Sequence, residues 1–323
     1  MAIKYVGEDK PCNLCGSQNR RLIAEKDRDG AALTTVMCEG CGLVYTHPMP
    51  SNAEVAQYYG EDYRTSYKGS FRPPLKHTYR SGIRCLERFD RLKEFLSPGV
   101  KILDLGAGSG EFTYLLRRRG LDAQGLEPND GYGTFARDTL GLPIKIGTYE
   151  TADFEADSFD IITAHHVIEH LVDPTDAFGV LAGWLKPGGV LIGEVPNIDA
   201  TYHAPATKFH FAHVYNYSPA TFIAMAAKAG LACIDLITVP GTQHVNAVFE
   251  KGGTAKVKLD LSDGAQATHQ VLSRHTPTGH YFQSAPYRRL AANLMRPIRE
   301  KRALNGRSDP RDVLNALYDA AAR

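Results

Sequence analysis

The sequence lacks any apolar run of the roughly 20 residues that a transmembrane helix needs, which excludes a membrane-spanning helix. It also begins without the apolar segment of a secretory signal peptide, so we expect a cytoplasmic protein whose thiols stay reduced. The apolar and charged fractions of 43% and 23% are ordinary for a soluble globular protein. With 323 residues, the chain should form one large domain with appendages, or two domains.

Net charge is also small, at +1, but positive charge is concentrated towards the C-terminal end. From Lys251 to Arg323 there are thirteen Lys and Arg against six Asp and Glu, whereas the preceding residues are net acidic. A basic segment could bind an anionic partner such as a phosphate, a nucleotide or a nucleic acid. It could equally be the solvated face of helices, and both interpretations stay open.

Cysteine is scarce, and four of the six cysteines lie in two short repeats, "PCNLCG" at 11–16 and "MCEGCG" at 37–42. Two residues between thiols let both sulfurs of a tight turn converge on one ion, and two such turns supply a tetrahedral site. The glycine after each pair permits the backbone torsions that direct N–H groups at the sulfurs. We therefore predict a structural zinc site with these ligands: Cys12, Cys15, Cys38 and Cys41.

Two disulfides are the competing interpretation of these repeats, but disulfides are rare in the cytosol. Four protein ligands leave no open position on zinc, so we do not expect catalysis at this metal. The remaining cysteines, Cys85 and Cys233, have apolar neighbours in the sequence and are expected to pack in the core.

The order of predicted elements indicates an α/β fold. Between about 100 and 250, short apolar strands alternate with helices, and the last two strands follow each other without a helix. This order predicts a doubly wound, Rossmann-like, mainly parallel sheet of seven strands with an antiparallel hairpin at one edge. Beyond residue 251, only 286–303 and 310–322 are predicted to be helical.

The first strand of this sheet, "KILDLG" at 101–106, leads into a glycine-rich turn. Glycines at this edge let the backbone approach a ligand, and the following helix N-terminus favours a negative group. The residues concerned are Asp104, Gly106, Gly108 and Gly110. The second strand ends in Glu127, whose carboxylate can accept both ribose hydroxyls of a nucleoside. A dinucleotide loop would instead need glycine or alanine at position 111, where this chain has Glu111.

The run D-x-G-x-G-x-G resembles the cofactor loop of class I S-adenosylmethionine-dependent methyltransferases. Three later segments are similar to the same family: "FDIITAHHVIEHLVDP" at 159–174, "LKPGGVLIGEVPN" at 185–197 and "HVYNYSPATFIAMAAKAGL" at 213–231. The resemblance implies that the glycines lie under the methionine part of S-adenosylmethionine and that Glu127 holds its ribose. It also implies that Thr148 and Tyr149 lie where the adenine is held, and that His165 lies beside the methyl group. Core packing is the alternative role for Tyr149.

Three features together resemble a subgroup of these methyltransferases that often modifies sugars and glycan precursors. They are the CxxCG ribbon, the tyrosine segment "YYGEDY" at 58–63 and this domain. The resemblance implies a small-molecule acceptor, such as a phosphate- or nucleotide-linked sugar, with a hydroxyl favoured over carbon or nitrogen. We divide the chain into a zinc ribbon at 1–50, a tyrosine-rich helical lid or linker at 51–97, the S-adenosylmethionine-binding domain at 98–252 and a basic extension at 253–323. The sequence leaves the oligomeric state open.

Histidines supply the candidate catalytic base. The segment 201–217 holds His203, His210 and His213, and imidazole titrates near neutral pH. We predict His213 as the first candidate base, His166 as the second and His210 as a third.

The segment "HVIEH" at 166–170 also fits a zinc-peptidase pattern, but that pattern needs both histidines on one helix, and this segment follows a strand. Glu169 and His170 are therefore expected to brace the loop by hydrogen bonding.

Two other functions stay open. An RNA methyltransferase would use the ribbon and the basic extension to contact the nucleic-acid backbone. The balanced charges of the ribbon argue against a nucleic-acid partner. A non-catalytic binding module is the second alternative, and the intact glycine loop with Glu127 argues against it.

Overall fold

A computed structural model describes residues 5–58, 72–239 and 242–322. A short helix is present over 52–58, whereas Tyr59 and Tyr63 of the tyrosine segment lie outside the described residues. The chain divides into two compact units. The first comprises Met1–Lys68, His165–Ala182 and Gly193–Tyr287, and the second comprises Gly69–Ala164, Gly183–Ile192 and Arg288–Arg323.

The first unit contains an antiparallel sheet built on the ribbon. Its strands are β1 (Arg20–Lys26), β2 (Ala32–Cys38), β3 (Val44–Thr46) and β9 (Tyr215–Asn216), in the order β1-β2-β3-β9. β9 comes from the histidine-bearing segment 201–217 and pairs with β3 through Tyr45 and Tyr215. The ribbon and this segment are therefore joined by a backbone ladder that the sequence did not reveal.

A second sheet has seven strands in the order β10-β11-β8-β7-β4-β5-β6. The strands are β4 (Lys101–Leu105), β5 (Asp122–Glu127), β6 (Ile144–Ile146), β7 (Phe159–His165), β8 (Leu185–Val195), β10 (Leu231–Thr238) and β11 (Val245–Lys251). β4 pairs in parallel with β5 and β7, and β5 with β6, while β10 and β11 form an antiparallel hairpin at one edge. The predicted fold class is confirmed.

Besides the short helix at 52–58, nine α-helices lie in the part of the chain that the structure describes. They are α1 (Leu75–Leu92), α2 (Glu111–Arg118), α3 (Asp130–Leu140), α4 (Pro174–Trp184), α5 (Pro219–Ala227), α6 (Leu261–Arg274), α7 (Pro277–Tyr281), α8 (Ala285–Leu304) and α9 (Pro310–Ala320). The Ser218 side chain caps α5 in a reciprocal capping box with Thr221, and Pro219 occupies the first turn. None of the described helices combines the length and apolar character needed to cross a membrane.

The helices α6 and α7 correct the expectation that only 286–303 and 310–322 are helical beyond residue 251. Only three of the 14 residues of α6 are large and apolar, namely Leu261, Val271 and Leu272, so its sequence gave a weak helix signal. The helix is held instead by tertiary packing. Leu272 packs against an apolar cluster that includes Met37 and Val44, and a Cβ added to Gly42 would lie 2.6 Å from the Cα of Ala265.

In the second unit, α9 packs on α1. Gly82 leaves room for this contact, since an added Cβ would lie 2.7 Å from Leu317 and 3.1 Å from Leu314. The Tyr114 hydroxyl on α2 donates a hydrogen bond of 2.7 Å to Asn315. α9 is thus part of the core of this unit.

Candidate active site

Asp104, at the carboxyl end of β4, is the centre of a buried hydrogen-bond network. Its two carboxylate oxygens accept from the hydroxyls of Thr113, at 2.9 Å, and Thr163, at 3.0 Å. Burial raises the pKa of Asp104 to about 6, although the two threonine hydrogen bonds act in the opposite direction. The network ties β4 to α2 and β7, so it fixes the turn where the glycine loop begins.

The glycine loop needs glycine for two different reasons. Gly106, Gly108 and Gly110 have φ values of +69°, +56° and +84°, which L side chains rarely adopt. At Gly110 a Cβ would also lie 2.6 Å from Leu142. Beside Gly108, by contrast, no described protein atom lies within 4 Å of an added Cβ. The loop therefore presents bare backbone to open space, as a bound cofactor would require.

Glu127 lies against this loop at the end of β5. Its side chain is almost completely buried and accepts hydrogen bonds from the backbone N–H groups of Gly108, at 2.7 Å, and Asn129, at 2.8 Å. Burial raises the pKa of Glu127, and the two backbone hydrogen bonds oppose this rise. Each carboxylate oxygen has a second lone pair, so the fixed carboxylate can still accept from two hydroxyl groups.

The segment after β6 approaches the same place. The N–H of Gly147 donates a hydrogen bond of 3.0 Å to the carbonyl oxygen of Glu127. Thr148 is exposed, and Tyr149 is buried. The structure thus brings Gly108, Glu127 and the segment with Thr148 and Tyr149 together in the second unit. His165 ends β7 and belongs to the first unit, so its cofactor role stays a prediction.

The four cysteines of the ribbon converge on one point. The sulfur atoms of Cys12 and Cys41 are 3.6 Å apart, those of Cys15 and Cys38 are 3.4 Å apart, and all four lie within 4.8 Å of one another. Zn–S bonds of about 2.3 Å in a tetrahedron separate sulfurs by roughly 3.8 Å. The donor set and spacing therefore fit a zinc ion. The thiols are free rather than paired in disulfides.

Both turns of the ribbon have the backbone form that the sequence predicted. Gly16 and Gly42 have φ values of +75° and +77°, and their N–H groups donate to the carbonyl oxygens of Cys12 and Cys38. The left-handed conformation after each cysteine pair explains why glycine follows both repeats.

A group of histidines surrounds the buried carboxylate of Glu169. His170 Nε2 lies 3.8 Å from Oε1 of Glu169. The Nδ1 of the same ring lies 2.7 Å from the carbonyl oxygen of Ala212. The ring of His213 is 5.0 Å from that of His170 and 3.8 Å from that of His210. Two of the three histidines of the segment 201–217 therefore join this group, whereas His203 is exposed.

Burial lowers the pKa of His213 well below its usual value and lowers that of His210 to about 4. Both rings are consequently neutral at pH 7, which is the form that can accept a proton.

His166 lies between two carboxylates. Its Nδ1 is 3.2 Å from Glu169, and its Nε2 is 3.2 Å from Glu194 at the end of β8. Burial alone would lower the pKa of His166, but the hydrogen bonds with Glu169 and Glu194 raise it to about 9. His244 lies just before β11, and its Nδ1 is 3.9 Å from Oε1 of Glu194, the same oxygen that lies next to His166 Nε2. Sequence reasoning missed Glu194 and His244, for which the only signal was a position next to a strand end.

Known proteins supply an independent comparison. Residues 77–236, about half of the chain, match the family model described as a methyltransferase domain. The chain contains a methyltransferase domain. A ubiquinone biosynthesis O-methyltransferase of Paramagnetospirillum magneticum is 31% identical over 116 residues, which cover 34% of this chain and 46% of that protein. Phosphoethanolamine N-methyltransferase 1 of Arabidopsis thaliana is 30% identical over 142 residues, which cover 40% of this chain and 28% of that protein.

The methyltransferase domain is also similar to the solved PH0226 protein of Pyrococcus horikoshii. That chain is 19% identical, with a TM-score of 0.47, and the similarity covers 59% of this chain and 98% of the other. This chain spans about half the length of the ubiquinone biosynthesis relatives that it matches.

Proposed function

We propose that this protein transfers a methyl group from S-adenosylmethionine to a small molecule. The observation that carries the proposal is the juxtaposition of Gly108, with open space beside its backbone, and the fixed carboxylate of Glu127. When bound, S-adenosylmethionine supplies an electrophilic methyl group on a sulfonium sulfur. The glycine loop would hold the methionine part, Glu127 the ribose, and Thr148 with Tyr149 the adenine.

The protein's remaining tasks are to orient the acceptor and to remove its proton. His213 suits the second task, because its ring is neutral at pH 7 and lies among His170, His210 and Glu169. A proton accepted by His213 would be stabilised by the nearby carboxylate of Glu169. His166, whose pKa is raised, holds a proton at neutral pH and is the less suitable base.

A hydroxyl is the acceptor atom that we favour. An O-methyltransferase is named among the relatives, and a base is needed for a hydroxyl more than for a nitrogen nucleophile. The acceptor class that we propose is a sugar, a nucleotide sugar or a glycan intermediate, which rests on the combination of CxxCG ribbon and tyrosine segment. The ribbon would hold a structural zinc ion through its four cysteines, in a cytoplasmic protein.

The test is consumption of S-adenosylmethionine by the purified protein with separate acceptor panels. The panels are nucleotide sugars, free sugars, a ubiquinone precursor and RNA. Turnover with the sugar panels supports the proposal in full. Turnover with only the ubiquinone precursor or only RNA would retain methyl transfer and replace the acceptor class. Absence of S-adenosylhomocysteine binding would contradict methyl transfer itself.

A further inference from the structure

We infer that His166, Glu194 and His244 form a second metal site, for a divalent first-row transition-metal ion. Two imidazoles and one carboxylate are a ligand set typical of zinc, iron(II) and manganese(II). The three residues belong to one unit, so the site does not depend on the arrangement of the two units. The site is separate in sequence and in donor chemistry from the four cysteines.

The donor atoms already face one another. His166 Nε2 and His244 Nδ1 lie 3.2 Å and 3.9 Å from Glu194 Oε1, and all three donors lie within 4.8 Å of one another. Ligands about 2.1 Å from an ion lie roughly 3.0–3.5 Å apart, so the observed spacing needs only a small contraction. The two imidazole rings meet edge to face, with centroids 4.6 Å apart and an interplanar angle of 81°.

Supporting residues hold the donors in this orientation. Glu169 binds the other ring nitrogen of His166 at 3.2 Å, which leaves Nε2 directed at Glu194. The side-chain amide of the buried Asn246 donates to the second oxygen of Glu194 at 3.5 Å. A carboxylate behind a ligating histidine and a hydrogen bond behind a ligating carboxylate are the usual supports of metal ligands.

The backbone of His166 is strained in a way that serves this arrangement. Its φ of +58° is uncommon for a residue with a side chain, and such residues cluster at functional sites. The N–H of His166 donates a hydrogen bond of 2.8 Å to the carbonyl oxygen of Glu194. The turn therefore places the His166 side chain next to Glu194 at the end of β8.

Three protein ligands leave positions on the ion for other groups. The ligands that such positions take are oxygen donors, namely water, hydroxyls or carboxylates. This property distinguishes the site from the four-cysteine site, which has no open position.

The experiment is a Mn²⁺ titration of the full-length protein, with free Mn²⁺ measured by electron paramagnetic resonance and zinc content measured in parallel. Mn²⁺ prefers oxygen and nitrogen donors to thiolates, so it does not report on the cysteines. We expect one bound Mn²⁺ per chain and at least about tenfold weaker binding in Glu194→Gln and in His244→Gln. Asn246→Ala should weaken binding about 10–100-fold, and His77→Ala, which removes an exposed histidine on α1, should not.

Circular dichroism and unfolding midpoints check that the variants fold. The inference is overturned if the wild type binds none of Mn²⁺, Fe²⁺ and Zn²⁺ beyond the ion at the four cysteines. It is also overturned if Glu194→Gln and His244→Gln, once shown to be folded, bind the second ion as the wild type does. Binding is measured without turnover, so this result is independent of the proposed methyl transfer.

Discussion

The hydroxyl of Tyr318 donates a hydrogen bond of 2.9 Å to the carbonyl oxygen of Glu111, which lies 207 positions earlier in the chain. Glu111 is the first residue of α2, directly after the glycine loop, and Tyr318 is buried near the end of α9. α9 therefore supports the helix that begins directly after the glycine loop.

This contact predicts a role for α9 in stability. Tyr318→Phe should lower the free energy of unfolding by about 1–2 kcal/mol, because a buried carbonyl oxygen loses its donor. Tyr287→Phe is the matched control, since this exposed hydroxyl also donates to a backbone carbonyl, and its loss should change stability by less than about 0.5 kcal/mol. Urea unfolding of both variants measures the difference, and equal stabilities would show that the Tyr318 contact contributes little.

Glu127 should hold the cofactor through charge-assisted hydrogen bonds. Glu127→Ala should weaken S-adenosylhomocysteine binding about ten- to a hundredfold, which corresponds to roughly 1.5–3 kcal/mol. Glu155→Ala, which removes an exposed carboxylate, is the control and should bind like the wild type. Titration calorimetry measures both affinities. An unchanged affinity for Glu127→Ala would remove this residue from the cofactor site.

The four cysteines should bind one zinc ion per chain. Cys38→Ser removes a buried thiolate, so the ribbon should lose the metal and its fold, while the methyltransferase domain stays folded. Cys233→Ala removes a thiol outside the cluster and should keep the metal. Elemental analysis of anaerobically purified protein is the measurement, and wild-type protein without zinc or iron would contradict the site.

Asp104 should make stability depend on pH in a defined window. Its pKa is raised by burial to about 6 in the fold, against 3.8 for a free side chain. Between these two pKa values, the folded state retains a proton that the unfolded state has lost, and this proton stabilises the fold. The stabilisation is fully present below about pH 3.8 and is lost as the pH rises through about 6. The loss amounts to roughly 3 kcal/mol.

Asp104→Asn lacks this titration, so the stability of the wild type relative to this variant should fall between about pH 4 and pH 6. Urea unfolding of both proteins across this range is the measurement. Parallel pH profiles would mean that Asp104 has an ordinary pKa.

The histidine group should contribute the base for a hydroxyl acceptor. His213→Ala should lower turnover by about 10²–10⁴ with unchanged S-adenosylhomocysteine affinity, because proton removal contributes this much to rate. His210→Ala and His166→Ala are measured separately, with the exposed His77→Ala as the control. Near-wild-type turnover in all three variants would mean that the acceptor is activated without a histidine base.

Much of the fold could be predicted from local sequence. The alternation of short apolar strands and helices predicted the seven-stranded sheet, and Ser218 with Pro219 is a local signal for the start of α5. The sheet signal is strong because strands buried on both faces are continuously apolar. The capping signal is strong because the cap residue bonds the first turn of its own helix. α6 was missed because only three of its 14 residues are large and apolar, and its contacts with the ribbon cannot be read from its own residues.

The sequence by itself predicted the candidate residues of the two recognisable motifs, since each cysteine pair and the glycine loop is a pattern within a few residues of one chain segment. Only the tertiary structure decided which distant groups meet. Glu194 and His244 join His166 because strand ends bring them within a few ångströms, and neighbouring charges then set the pKa of His166. Such contacts cannot be predicted from spacing along the chain, because they depend on how strands are ordered in the sheet.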